Sequence, residues 1–531
     1  MKKLSLCILF TLSVILMSGC RPPAPTSAIQ FKIYTQSGKP QNLRILEIIK
    51  HQIESADPRL SVTIETREKA AFFQAVTDGE ADAFFLDWYA DYPDAENFLH
   101  PLFSSANRGS AGNRAQFSDE AVDRTIRMAI EEADAARREE LYRRAEELVA
   151  EKAPWIFLWH PQNFRIRSNN VTGGFIPLTP NHDRGAAYKP NPKAGFDERL
   201  DMRLSADPQS LDPAMVRDVP SSDVAAKLHA GLVCFSDDLQ KIEPDLADCT
   251  ISDDGLTYTF TLNEKAKFSN FRPVLASDVE FSFRRVLSPT CPRNWVLAEL
   301  SGAQDLIDGK TDELPGIEII DERTIKLKLD KPFGPFLSKL TMPAAYIAPK
   351  SSVENLRDNF SKRPIGAGPY MLAEWERGQY LLLKRNPVYH RLPRAQFKEL
   401  RYAIHSDDDT AWNEYLLGNI DVLNLPSNKL EKVLEDNELR SRFIHGPSLA
   451  TVYIGLNCSR EPFNDERLRR ALNYAVDSRE ILSELMQGRG RIATGPIPPS
   501  LPGKNTELKG YERDPGKVSE LLDDILGTTE P

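Results

Sequence analysis

Between Phe31 and Trp88 the chain alternates apolar strands with helical spacing in the order β-α-β-α-β, and this order most restricts what it can build. Phe31 to Thr35 reads as a strand. Leu43, Leu46, Ile48, Ile49 and Ile53 recur near helical spacing over Gln41 to Ser55. Leu60 to Thr66 alternates as a strand, Phe72 to Asp78 reads as a helix, and Ala83 to Trp88 is an apolar strand. Such alternation points to an α/β lobe. Two helices follow, with Ser118 expected to cap the first and Asp134 the second. In the second, Leu141, Ala145, Leu148 and Val149 form the buried stripe, and Trp155 to Trp159 then reads as a short buried strand.

The texture changes after a linker-like stretch, Asn181 to Glu198, rich in Asn, Pro, Gly and charge. Beyond Leu200, Leu256 to Leu262 and Thr324 to Leu329 alternate at period two, and Tyr380 to Lys384 is another strand. These are half-buried strands of antiparallel type. Helices return at Leu468 to Ala475 and Ile481 to Met486, and Asp514 to Pro531 reads as a helix with a polar tail. At 531 residues the chain is too long for one core, so two or three domains are expected. The net charge of −10 argues against a nucleic-acid partner, whose binding surface is basic.

Lys2 and Lys3 precede an apolar run from Leu4 to Met17, of secretory length and short for a bilayer span. The run ends in Met17-Ser18-Gly19-Cys20, which resembles a bacterial lipobox with Met17 where leucine is usual. Residues 1–19 are then a lipoprotein signal, Cys20 carries the lipid, and 20–30, with Pro22, Pro23 and Pro25, is a tether. The alternative is an ordinary secretory signal with an incidental cysteine. Cys7 leaves with the signal. Cys234, Cys249, Cys291 and Cys458 remain, open to oxidation in an exported protein, and their spacing selects neither a pairing nor a metal site.

No histidine spacing suits a metal. Arg108-Gly109-Ser110-Ala111-Gly112 lacks the first glycine of a nucleophile elbow. Gly309-Lys310-Thr311 has Gln304 where a phosphate loop needs glycine. The residues therefore point to no enzyme, no cofactor and no metal.

Leu211-Asp212-Pro213, Gly231-Leu232-Val233, Pro244-Asp245-Leu246-Ala247, the stretch Ser252 to Leu262 and Ala276-Ser277-Asp278-Val279 resemble, in order, the start of the peptide- and nickel-binding proteins of ABC importers, solute-binding family 5. Gly366-Ala367-Gly368-Pro369-Tyr370, Arg385-Asn386-Pro387, Pro462 to Arg469 and Thr494-Gly495-Pro496-Ile497-Pro498 continue the likeness. Asn263 stands where the family usually has a basic residue, and Phe271 where it has glycine, so that turn is expected to be reshaped. Asp87-Trp88-Tyr89-Ala90-Asp91-Tyr92-Pro93-Asp94 with Asn97-Phe98-Leu99, and Ala153 to Leu158, are similar to the family's C-terminal third, yet here they come first. Each part occurs once, which reads as a circular permutation, with 181–199 joining the original ends.

The resemblance implies an α/β, two-lobed, Venus-flytrap fold of class II type with an extra small domain, circularly permuted. The distal lobe would take 31–162 and 447–531. The proximal lobe would take 200–248 and 350–446 with a return segment at 163–180, and the extra domain 249–349. Ligand would lie between the lobes, which close about a hinge. Asp91 matches the family's aspartate for a peptide's α-amino group, and Asp87, Trp88 and Tyr89 lie on the strand that a bound peptide extends. Trp88 is expected to contact ligand more than Tyr89. Arg217-Asp218-Val219-Pro220 resembles the opposing strand. Basic residues that some oligopeptide binders carry are replaced by Val76 and Phe85, and an upstream tryptophan by Lys69. The carboxylate anchor therefore stays open, with Lys69 and Arg217 as candidates. The implied protein is a monomeric, exported lipoprotein of the periplasm or cell envelope, membrane-bound through Cys20. Its implied partners are a peptide and the permease subunits of an ABC transporter. Rival readings are a binder of nickel, haem or another non-peptide solute, or a surface sensor or chaperone without an importer.

Overall fold

The computed structural model describes residues 29–174, 179, 187–194, 198–236, 241–391 and 395–527. The expected signal and Cys20 lie outside the described residues, as do 21–28 of the expected tether and much of the expected linker; the tether's last two residues, Ile29 and Gln30, are not tether but open the first strand by pairing with Leu60 and Ser61. The part of that linker that is described is not plain coil: Tyr188–Pro190 pairs antiparallel with Val171–Gly173.

Three parallel strands begin the chain: β1 (Ile29–Gln36), β2 (Leu60–Arg67) and β3 (Ala83–Tyr89), with β1 in the middle. Helices α1 (Pro40–Ala56) and α2 (Lys69–Thr77) make the crossovers. On α1, Ile45, Leu46, Ile49 and Ile53 are buried, and this stripe packs on one face of the sheet. The other face is covered from α3 (Glu96–Phe103), α4 (Glu120–Glu131) and α5 (Ala135–Lys152). The cap of α4 is Asp119, not the expected Ser118: its extended backbone turns the carboxylate onto the amides of Ala121 and Val122. Asp134 caps α5 through the amide of Arg137.

The strand expected at Trp155 to Trp159 runs on as β4 (Trp155–Arg167), 13 residues long. His160, Pro161 and the polar residues after them end the apolar run in the sequence but not the strand, because β4 passes from one lobe into the other. Its first half pairs with Ala450–Leu456 and its second half with Phe443–Pro447 and Val422–Asn424. Two antiparallel segments, β4 and Phe443–Leu456, thus run side by side between two lobes. Among the described residues one hydrogen-bonded path of strands continues from β2 through β4 to the hairpin Tyr370–Glu376 and Tyr380–Arg385 at the far edge.

Where β4 enters the first lobe, Trp155 stacks on Tyr453 with ring centroids 3.4 Å apart. In the second lobe, α6 (Val219–Leu228) ends against Gly366-Ala367-Gly368. A Cβ at Gly366 would come 2.0 Å from the Leu228 carbonyl oxygen, so only glycine lets the two backbones meet. A third unit is an antiparallel sheet of Ala247–Ile251, Thr257–Leu262, Thr324–Lys328 and Ile317–Ile319, packed by the helix Ala276–Val286. In Thr257–Leu262 the period-two pattern buries Tyr258, Phe260 and Leu262 on that core. The turn before the helix keeps the geometry of a glycine although Phe271 occupies it: φ is +70° and the side chain is exposed. None of Cys234, Cys249, Cys291 and Cys458 is joined in a disulfide.

Candidate functional site

A cavity of about 500 Å³ lies between the two lobes, with the third unit closing one side. It falls in the range of small-ligand sites. The first lobe contributes Tyr89, Ala90 and Asp91 from the end of β3. That turn is held by Asn97, whose side-chain oxygen accepts from the Asp91 amide at 3.0 Å and the Trp88 indole at 3.4 Å. The Ala90 amide donates to the carbonyl of Leu449, which also lines the cavity. Asp91 is therefore placed by bonds from its own amide and from that of Ala90.

The second lobe contributes the segment around Val216 to Asp223. Arg217-Asp218-Val219-Pro220 is not the expected strand. Asp218 caps α6 through the amide and hydroxyl of Ser221, and Pro220 sits in the first turn, where its missing N–H costs nothing. Val219 is 65% exposed and faces the cavity. The Arg217 Nε donates to the Gln209 side chain at 3.1 Å. Arg165 on β4 donates to Asn424 at 2.7 Å and to the Tyr188 hydroxyl at 3.2 Å, and all three line the cavity.

The third unit contributes Arg293, whose Nη1 donates to Asp91 Oδ1 at 3.0 Å and whose Nε donates to the Val216 carbonyl at 3.3 Å. Beside this contact, Tyr92 is buried in the third unit's core and lies 6.5 Å from the Trp295 ring. Asp94 accepts from the Ser338 hydroxyl at 3.2 Å, and burial raises its carboxyl, with the Glu96 amide opposing. The residues just after β3 thus reach from the first lobe onto the third unit.

Of the residues expected at the site, Tyr89, Asp91, Arg217, Asp218 and Val219 line the cavity. Trp88 turns the other way, against the core beneath α3 to α5. Strand alternation sends neighbours to opposite faces, so Trp88 and Tyr89 cannot both face ligand. Asp87 is exposed but does not line the cavity, Lys69 heads α2 on the surface, and Val76 and Phe85 are buried. The residue that sequence reasoning missed is Arg293. It lies 202 positions from Asp91 in a loop without a motif, so no local signal marks it.

The family model described as bacterial extracellular solute-binding proteins, family 5 Middle, matches residues 23–110 and 241–529, more than half of the chain. The chain is 30% identical over 341 residues to the probable D,D-dipeptide-binding periplasmic protein of Escherichia coli K12, covering 62% of each. It is 30% identical over 295 residues to the periplasmic oligopeptide-binding protein of Salmonella typhimurium, covering 54% of this chain and 53% of that one. The chain thus spans between half and two thirds of the length of these curated relatives. Among solved structures, the Escherichia coli murein tripeptide binding protein aligns with a TM-score of 0.45 at 28% identity, over 54% of this chain and 57% of that one.

Proposed function

We propose, since the chain belongs to the bacterial extracellular solute-binding proteins of family 5, that it binds a short peptide between its lobes and delivers it to the permease subunits of an ABC importer. The observation that carries this is the position of Asp91. It stands in the interlobe cavity at the end of a strand whose outer edge is partly open. β1 pairs with β3 only at Ala83 and Phe84, while on the other side the strand Ala450–Leu456 pairs all the way to Tyr89. A peptide backbone laid beside Tyr89 to Asp91, the part of this segment that lines the cavity, is read through backbone groups that ignore side-chain identity. Its α-ammonium reaches Asp91, and a charge taken out of water needs such a partner.

Export and membrane attachment through a lipid on Cys20 belong to the same reading, supported by the Met17-Ser18-Gly19-Cys20 pattern. The segment order is read as a circular permutation of the family. In its favour, residues 29–59 and 515–526 pack in one lobe, as a re-cut lobe requires. A chain reordered to place residues 29–174 after 527 is expected to fold and bind the same ligands.

Native mass spectrometry of the delipidated protein, followed by a thermal-shift screen of a peptide library, tests peptide binding. Peptides are expected to co-purify or to raise the melting temperature, and Asp91→Ala is expected to abolish the shift. Cooperative melting with no response to any peptide would overturn the peptide reading and favour a non-peptide solute or a role outside import.

A further inference from the structure

Asp91 is not a bare anion. Its Oδ1 is taken by Arg293, and among the described residues its Oδ2 and the Nη2 of Arg293 carry no hydrogen bond. Both groups line the cavity, with side-chain exposures of 34% and 26%. The guanidinium is also fixed in place. Its loop is tied to the second lobe by Cys291, whose thiol donates to the Ala214 carbonyl at 3.0 Å, and by its own bond to Val216. On the first lobe's side Trp295 meets Tyr92.

The anchor is therefore a dipole, carboxylate beside guanidinium, and not a monopole. An isolated ammonium brought to Asp91 also approaches Arg293, and repulsion offsets much of the attraction, since both fall off with distance alike. A ligand head that carries an ammonium and a carboxylate on one carbon has no such conflict. Laid antiparallel to the pair, its ammonium meets Asp91 Oδ2 and its carboxylate meets Arg293 Nη2, and both contacts are charge-assisted. We infer that Arg293 sets specificity at this end of the cavity, and that the favoured ligands are short peptides with an α-amino-acid head, joined onward through the side-chain carboxyl of their first residue. The inference rests on the reading of Asp91 as the ammonium anchor.

An isomer pair of equal mass and net charge isolates the head: γ-glutamyl-leucine, with ammonium and carboxylate on one carbon, against α-glutamyl-leucine, without. Isothermal titration calorimetry of the wild type is expected to show a preference of about tenfold for the γ-isomer, the size of one good charge-assisted contact. Arg293→Met is expected to remove that preference, by weakening the γ-isomer and tightening the α-isomer, which then meets an unpaired Asp91. Arg293→Lys keeps the charge and is expected to keep the preference in part, which separates loss of charge from loss of folding. Equal binding of both isomers by the wild type, or equal weakening of both by Arg293→Met, overturns the inference and leaves Asp91 as anchor. If neither isomer binds while other library peptides do, the inference falls and the peptide reading stands. If no peptide of any kind binds, the reading of the site itself falls.

Discussion

The guanidinium of Arg59 lies 2.6 Å from the carboxylate of Asp523, 464 positions further along the chain. Arg59 also grips Asp57 through Nε at 2.9 Å and Nη2 at 2.7 Å, and Asp57 accepts from the Ser519 hydroxyl at 2.9 Å. The turn after α1 is thereby fastened to the helix Pro515–Leu526. Burial alone would raise the Asp57 carboxyl, but bonds from Arg59 and Ser519 outweigh it and hold it below the usual range. A lowered folded pKa means stability that is present above about pH 4 and is lost as pH falls through the folded value. Arg59→Gln is expected to cost about 2–3 kcal/mol at pH 7 and to flatten the acid limb of the stability curve below pH 4. Urea titrations between pH 2.5 and 7 measure both; an acid limb unchanged by the substitution would show that this cluster does not couple to folding.

His160, buried in β4, has its imidazole held down to about 3, by burial first and then by the charge on Lys504, with the Ala450 carbonyl opposing. Its Nδ1 lies 3.0 Å from the Thr451 hydroxyl and 3.2 Å from the Ala450 carbonyl. The Thr451 hydroxyl itself donates to Pro496, so Nδ1 carries the proton and Nε2 stays bare. The folded pKa is depressed, so its stability is whole above about pH 6.5 and falls as pH drops towards 3. The expected slope is about 1.4 kcal/mol per pH unit over that window. His160→Gln should remove it, and chemical denaturation at pH 7, 6, 5 and 4 reads the slope directly.

Lys504 and Glu146 form an ion pair of 2.7 Å with both side chains buried. Glu146 also accepts from the amides of Ile497 and Asn505, so one carboxylate organises the loop Thr494 to Asn505. Burial raises its carboxyl and Lys504 opposes that. Lys504→Met strands the acid and is expected to destabilise by about 3–5 kcal/mol. Adding Glu146→Gln should recover part of that loss, and thermal unfolding of the two variants is the comparison; no recovery would mean that Lys504 acts through packing alone.

Phe271 adopts φ of +70° and leaves its ring 63% exposed, so it bears the strain of a left-handed backbone without packing to offset it. Phe271→Gly is expected to stabilise by about 1 kcal/mol, a net of relieved strain against the entropy of glycine. A lower melting temperature in the variant would show that the ring has contacts in solution that compensate.

The elements with strong periodicity were legible in advance. The β-α-β-α-β order, the stripe on α1 and the alternation in Thr257–Leu262 each reflect one-sided burial, which writes itself locally into the chain. The cap of α4 and the length of β4 were not. Ser118 and Asp119 are both good caps, and which one serves depends on where the helix docks. β4 loses its apolar pattern at Pro161 because there it leaves one core for the other and lines the cavity with Asn163 and Arg165.

At the site the division is similar. Likeness to a family placed Asp91, Tyr89 and the Val219 segment, and these do face one cavity. Strand alternation forced a choice between Trp88 and Tyr89, and only the side on which the core lies made it.

Readable from the residues were the strands and helices with a strong burial period, the presence of more than one core, and the family to which the motifs point. These follow from burial patterns and short-range backbone chemistry, which act over a few residues. Tertiary structure alone decided that Arg293 stands against Asp91, that Arg59 meets Asp523, and that Lys504 is buried with Glu146. Each of these is a charge whose partner comes from hundreds of residues away. A lone charged residue looks the same in a sequence whether water or an opposite charge solvates it, and only the folded chain settles which.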